Sequence, residues 1–579
     1  MSFALAPLVQ LGLLCLSYWA LDRITRQGGA LRLVDALDAK LRGLGRGLGL
    51  LALVALGWWW RWDLVLASEF ARPLGVGLGA MLTWKVVTKD LDIAAPERHV
   101  VVPRLALLAA VCVAWWSPAG LVLALVLLTR PFEQWRHHAI LPMRLVLALV
   151  AHTALSPLAA FEPLSTYVPA GPSVVFFVLT VQASHYLSAG WAKLRLGPRW
   201  SSWMLDNRLH HQVANAWGLG WARFMPWPRW HRLVRAVARV ERPLQAATVA
   251  IELFAPLALL SPSAAYFAFA LWSLFHLGAL LLGGFLFWDW IGTSVMLGLA
   301  LALAPASLFA GAFGWQAVLI STAFIVAFPL RNRLWGPILL AWWETPSCQR
   351  MRWFVEGESG RRYELHADFM CPHERLYAKV QALFLAPVPL MSFHLGTVWE
   401  VEHRDALREA GPDPRRLDEV RARFGVQPRD PVLAADHVAY LHRFLAALAR
   451  GARKHVLPPG LRWLKAPGGH CYYWGELPAF RGQEPARRLS LRFDEHYYDG
   501  EALVQIHDDE VLELVIDERS SERAGGPEPR ARSVERAICE AFWARAQARS
   551  ETESASRRAV FTIAPEADDE ATSALEGAA

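Results

Sequence analysis

Ser184-His185-Tyr186-Leu187-Ser188-Ala189-Gly190-Trp191-Ala192-Lys193-Leu194 is the stretch on which the reading of this chain turns. It closes an apolar run that starts near Ser173, and it predicts a helix that ends on an amine. Ser188, Ala189 and Gly190 are small, so a second helix can approach closely just before Lys193. An ionisable residue at the mouth of a membrane bundle is a functional candidate. The alternative is a snorkelling lysine whose charge anchors the helix end among lipid headgroups. Taken alone, the lysine favours the anchoring reading.

Outward from this stretch the chain is apolar. Of 579 residues 54% are hydrophobic and only 19% are charged, with the apolar ones concentrated before residue 340. Several runs are long enough to cross a hydrocarbon core of about 30 Å as helices. The expected fold is an all-α polytopic membrane bundle of about nine or ten transmembrane helices, followed by a small α+β soluble domain. The bundle is assigned to 1–340, the α+β domain to 341–518, and a largely disordered tail with one helix near 533–549 to 519–579. The first span, 3–24, lacks a basic leading segment and reads as a retained helix, not a cleaved signal.

Further spans are expected at 47–66, 74–87, 141–161, 173–192, 244–260, 264–284, 286–304 and 315–329. Between them, 104–129 is broken by Ser117-Pro118-Ala119-Gly120 and reads as a hairpin of two short segments. The long Arg- and Trp-rich connection 194–242 suits short helices lying in the membrane interface. In the C-terminal part, 432–452 has helical patterning, and 489–493 and 502–516 read as strands.

The net charge of +7 comes largely from arginines in connections between apolar runs, which argues for membrane orientation and against nucleic acid. Six cysteines include no CxxC pair, which gives neither a disulfide framework nor a zinc signature. Cys371-Pro372-His373 and His470-Cys471 have zinc-compatible ligands but no finger spacing, so no structural metal is expected. Asp494-Glu495-His496 and His507-Asp508-Asp509-Glu510 read as solvated acidic turns, and Asp289, between Trp288 and Trp290, as interfacial. No repeated halves point to a transporter.

The pattern Tyr186-x-x-Ala189-Gly190-x-x-Lys193-Leu194 resembles the vitamin K-dependent γ-carboxylase-like family, which includes bacterial membrane proteins with the HTTM domain. Upstream, Trp135 and His138 are similar to a Trp-x-x-His element of that family. Downstream, Phe275-His276 is similar to its Phe-His pair, with Glu252 as an acid in an apolar helix between them. The resemblance covers roughly residues 100–300, and a family Asn three residues after the His is Ala279 here. It implies that Lys193 is the base acting on a reduced naphthoquinone of the vitamin K or menaquinol type. Dioxygen and carbon dioxide would be co-substrates, and a peptide, protein or lipid the acceptor. It further implies that His138 and His276 act beside Lys193 with Glu252, and that Trp135, Tyr186, Gly190 and Phe275 line the quinone site. Such chemistry needs a neutral amine and a water-poor pocket, conditions that desolvation favours. A catalytically silent scaffold binding lipid or a partner is the alternative. The charge pattern puts 23–46, 194–242 and the C-terminal domain on the cytoplasmic side of a bacterial inner membrane.

Overall fold

The computed structural model describes residues 55–94 (except 56 and 92), 101–129, 140–156, 171–332 (except 310), 341–370, 388–389, 396–467 (except 425 and 428–430) and 475–516. The described residues are mostly helical in the first part: α1 (Ser68–Val87), α2 (Val101–Ala114), α3 (Ala119–Thr129), α4 (Ile140–Leu155) and α5 (Gly171–Leu194). Then come α6 (Ser202–Asp206), α7 (Leu209–Gly218), α8 (Trp227–Leu253), α9 (Pro262–Gly283), α10 (Trp288–Leu303) and α11 (Trp315–Asn332).

The expected bundle of nine or ten spans is not what forms. Among the described residues only α5 and α9 are long and apolar enough to cross a membrane. Of α5, 78% of the apolar window is buried inside the protein, against 22% for α9, so α5 is walled in by protein and α9 is not. The reason lies in how the apolar runs are cut. The run at 244–260 is the end of amphipathic α8 followed by a 3-10 turn, Ala255–Leu259. The run at 286–304 yields a helix of 16 residues, about 24 Å long, short of the hydrocarbon core. At 47–66 the chain is already extended at Arg61 and enters a 3-10 turn at Trp62–Leu64. The span at 3–24 lies outside the described residues, as does the helix near 533–549.

Local signals explain the individual ends. α2 and α3 make the tight hairpin that Ser117-Pro118-Ala119-Gly120 encodes. A Cβ at Gly120 would sit 2.2 Å from the Ala114 nitrogen, so no larger residue fits. α9 starts behind Ser261, whose hydroxyl accepts from the Ala264 amide at 3.1 Å, and ends at left-handed Gly284. α8 buries Trp230, Val234, Val237, Glu241, Gln245, Val249 and Glu252, spaced by three or four, which gives one continuous inward stripe.

The C-terminal part contains β1 (Trp343–Glu344), β2 (Ser347–Gly357), β3 (Arg362–Leu365), α12 (Ala367–Met370), β4 (Val388–Pro389) and β5 (Thr397–Val398). It continues with α13 (Val401–Ala410), α14 (Pro414–Phe424), β6 (Val426–Gln427), α15 (Pro431–Ala449), β7 (Ala486–Tyr498) and β8 (Leu503–Val515). The long strands form an antiparallel sheet in the order β3-β2-β7-β8, and β1 pairs with β5 and β4 with β6. One sheet face and α15 share a core of Trp353, Val355, Leu489, Leu491, Leu441 and Phe444.

Two sequence expectations change here. Asp494-Glu495-His496 is not a solvated turn but the buried middle of β7, with Arg350 Nε donating to Asp494 at 2.6 Å. The β2 arginines supply the counter-charges that make such burial tolerable. The connection 194–242, expected as short helices lying in the membrane interface, packs against the C-terminal part. α7 packs on the sheet, Asn215 donates to the Thr345 carbonyl at 2.9 Å, and Trp203 Nε1 donates to the Trp342 carbonyl at 3.0 Å.

Candidate functional site

Tyr186, Gly190 and Lys193 are four and three residues apart, so they share one face of α5. That face meets the end of α8. A Cβ on Gly190 would lie 2.9 Å from the Glu252 Cβ and 3.0 Å from the Leu253 nitrogen, so the glycine sets the helix separation. At this contact the Lys193 ammonium donates to both carboxylate oxygens of Glu252, at 2.7 and 2.8 Å. Side-chain exposure is 11% for the lysine and 5% for the glutamate, so little water screens the pair. The amine also sits 5.3 Å from the Trp203 ring centroid.

Two turns earlier on α5, the Tyr186 hydroxyl and His276 Nε2 are 3.0 Å apart. The Tyr186 ring stacks on Trp272 at 4.3 Å, and Trp290 stands edge-on to it at 5.4 Å. Phe275 meets the His276 ring edge-to-face at 5.3 Å. Asp289, expected at an interface, is buried at 3% exposure in the first turn of α10, next to this cluster. Of the six sequence candidates outside the Lys193–Glu252 pair, Tyr186, Phe275 and His276 form one aromatic cluster, and Trp135 and His138 lie outside the described residues. Gly190 belongs to the ion pair.

The structure adds residues that sequence reading missed, because they arrive from the C-terminal part. Glu344 on β1 is 4% exposed, and its carboxylate accepts from Trp342 Nε1 at 2.9 Å. Burial pushes the Glu344 carboxyl up to about 8, against the opposing pull of the Trp342 N–H and of the Lys193 charge. Its backbone amide donates to Asn207 Oδ1 at 2.8 Å, and Arg408 Nη2 donates to its carbonyl at 3.4 Å. His211 faces the same backbone and is held well below its ordinary value by burial and by the charges of His210 and Arg408. Nothing in the local sequence of Trp342-Trp343-Glu344 marks this role.

Among the described residues no group of three metal-ligating side chains occurs. Cys371, His373, His470 and Cys471 lie outside the described residues, and Cys112 and Cys348 are free thiols. Burial pushes the Cys348 thiol up to about 12, which makes it a poor nucleophile. A scan of family models, of curated proteins and of solved structures finds no match to this chain.

Proposed function

We propose that this chain is a membrane-associated enzyme that removes a proton from a reduced naphthoquinone, with Lys193 as the base and Glu252 as its proton partner. One observation carries the reading: an amine and a carboxylate in bidentate contact, nearly closed to water, at the end of an apolar helix. In surroundings of low polarity the charged pair and the neutral pair come close in free energy. Glu252 is the group placed to receive the lysine's proton when the amine acts as a base.

The aromatic cluster has the side-chain chemistry that a flat bicyclic ligand with two oxygens needs. Stacked and edge-on rings offer apolar faces, and the Tyr186 hydroxyl and His276 imidazole supply hydrogen-bonding groups beside them. Tyr186, Trp272, Phe275, His276 and Trp290 would hold the quinol, which supplies an acidic hydroxyl and, with dioxygen, the driving force for carboxylation by carbon dioxide. The residues themselves orient the ring, exclude water and move one proton from the quinol to the Lys193 amine. α9, with its largely uncovered apolar surface, supports contact with membrane lipid. The acceptor is a peptide, protein or lipid.

A second reading has its own support. The Lys193–Glu252 clamp and the Gly190 contact also fasten α5 to α8, as a catalytically silent scaffold would require. Oxygen uptake separates the two. Detergent-solubilised chain given reduced menaquinone analogue and bicarbonate should consume dioxygen saturably, and Trp272→Ala should raise the quinol concentration needed. Absence of quinol-dependent uptake by the folded chain overturns the enzyme reading and leaves the scaffold.

A further inference from the structure

The inward stripe of α8 carries three polar residues, Glu241, Gln245 and Glu252, respectively 6%, 0% and 4% exposed. Glu252 is taken by Lys193. Glu241 accepts from His210, with Nδ1 and Oε2 2.6 Å apart, and from Arg208 at 3.3 Å. Gln245 lies between them with both amide atoms buried and unbonded. Around Glu344 three more buried atoms are unbonded: Asn207 Nδ2, His211 Nδ1 and Arg408 Nε. Buried polar atoms without protein partners are groups that ordered water can satisfy.

These groups connect two ends. At the inner end, Lys193 lies against Trp203, whose Nε1 donates to the Trp342 carbonyl, and Trp342 in turn donates to Glu344. At the outer end, the His210 and His211 rings are 4.5 Å apart, and the His210 side chain is 17% exposed. We propose that Glu344 is a further residue of the Lys193 site, passing protons between the Lys193–Glu252 pair and the surface through His211 and the His210–Glu241 pair, with water between them. The proposal rests on Lys193 acting as a base, which must shed a proton in every cycle.

Only N–H and O–H bonds change along this path. One proton received at Lys193 is matched by one released at His210, so no oxidant, reductant or leaving group is needed. The charged groups facing Glu344 suit such a role. The Lys193 charge on α5 acts on its carboxyl, Arg408 on α13 donates to its carbonyl, and His211 on α7 meets its backbone. The one side-chain partner of the Glu344 carboxylate among the described residues is the Trp342 N–H, which leaves its second oxygen for proton exchange.

The test uses the full chain in detergent, with Glu344→Gln and, as a second variant, His211→Gln. Lys193 is modified with phenyl isothiocyanate across a pH series and quantified by peptide mass spectrometry, which requires no turnover. Glu344→Gln should move the midpoint of the modification profile by about one pH unit, because it removes a proton-sharing neighbour. His211→Gln should leave that midpoint in place. In quinol-dependent oxygen uptake, either variant should lower kcat at least about tenfold with KM unchanged, in the range of lost proton-transfer catalysis. Added formate should restore part of the rate to Glu344→Ala, which a structural role would not allow. An unmoved midpoint in folded Glu344→Gln overturns the proposal whether or not the chain turns over quinol. Wild-type uptake rates in both variants overturn it as well. Failure of the enzyme reading shows separately, as absence of uptake in the unaltered chain.

Discussion

Lys193 Nζ lies 2.7 Å from one carboxylate oxygen of Glu252 and 2.8 Å from the other, at the point where Gly190 lets α5 and α8 touch. The pair is local chemistry and long-range packing at once. It needs the small residue one turn before the lysine, and it needs the inward stripe of α8 to end on an acid.

Removing one partner leaves an uncompensated charge in a nearly dry contact. Glu252→Gln or Lys193→Met should each destabilise the fold by about 3–5 kcal/mol. Replacing both, Lys193→Met with Glu252→Met, should cost clearly less than the sum of the two. Denaturant unfolding of the four chains in the same detergent measures the coupling. Additive losses would mean that the pair contributes no mutual stabilisation.

Gly190→Ala places a methyl group where the Glu252 Cβ and the Leu253 backbone already stand. The helices must part, at a cost of about 1–3 kcal/mol for overpacking. The expected result is a lower melting temperature together with faster hydrogen exchange at the end of α5. An unchanged melting temperature would show that the two helices have room to spare.

Glu344 sets a pH dependence with a definite sign. Its carboxyl is pushed up to about 8 in the folded chain, from an ordinary 4.5. The folded chain therefore keeps a proton that the unfolded chain releases. That contribution is full below pH 4.5, shrinks as the pH rises, and is lost through pH 8. Relative to Glu344→Gln, the unaltered chain should lose stability by up to about 1 kcal/mol per pH unit across that window. Parallel stability curves for the two chains would contradict the raised value.

How much of this was legible in the sequence follows from what each signal can see. Tyr186, Gly190 and Lys193 are close along the chain, and helical spacing puts them on one face. Glu252 and His276 stood out because a charge or imidazole within an apolar run must find a partner. Both do, Glu252 with Lys193 and His276 with Tyr186. Glu344, Asn207 and His211 were invisible, since their meeting depends on β1 and α7 packing together from either side of α8–α11. The span count failed for a related reason. Hydropathy registers that α5 is apolar, but not that protein covers most of it, and it runs past the turn at Ala255–Leu259 as though the helix continued. Asp494 and Glu495 looked solvated because their counter-charges, Arg350 and Arg421, are distant in sequence.

The central claim is that the Lys193 amine is a base, and replacement by arginine tests it most directly. Arginine keeps the positive charge and the contact with Glu252 but stays protonated in any protein environment. The measurement is dioxygen consumption by Lys193→Arg, reconstituted with reduced naphthoquinone beside the unaltered chain at equal folded concentration. The account predicts uptake in the unaltered chain and at least about a hundredfold loss in the variant, with quinol binding retained. Uptake by Lys193→Arg at the unaltered rate would show that the lysine is an anchor between helices and not the base.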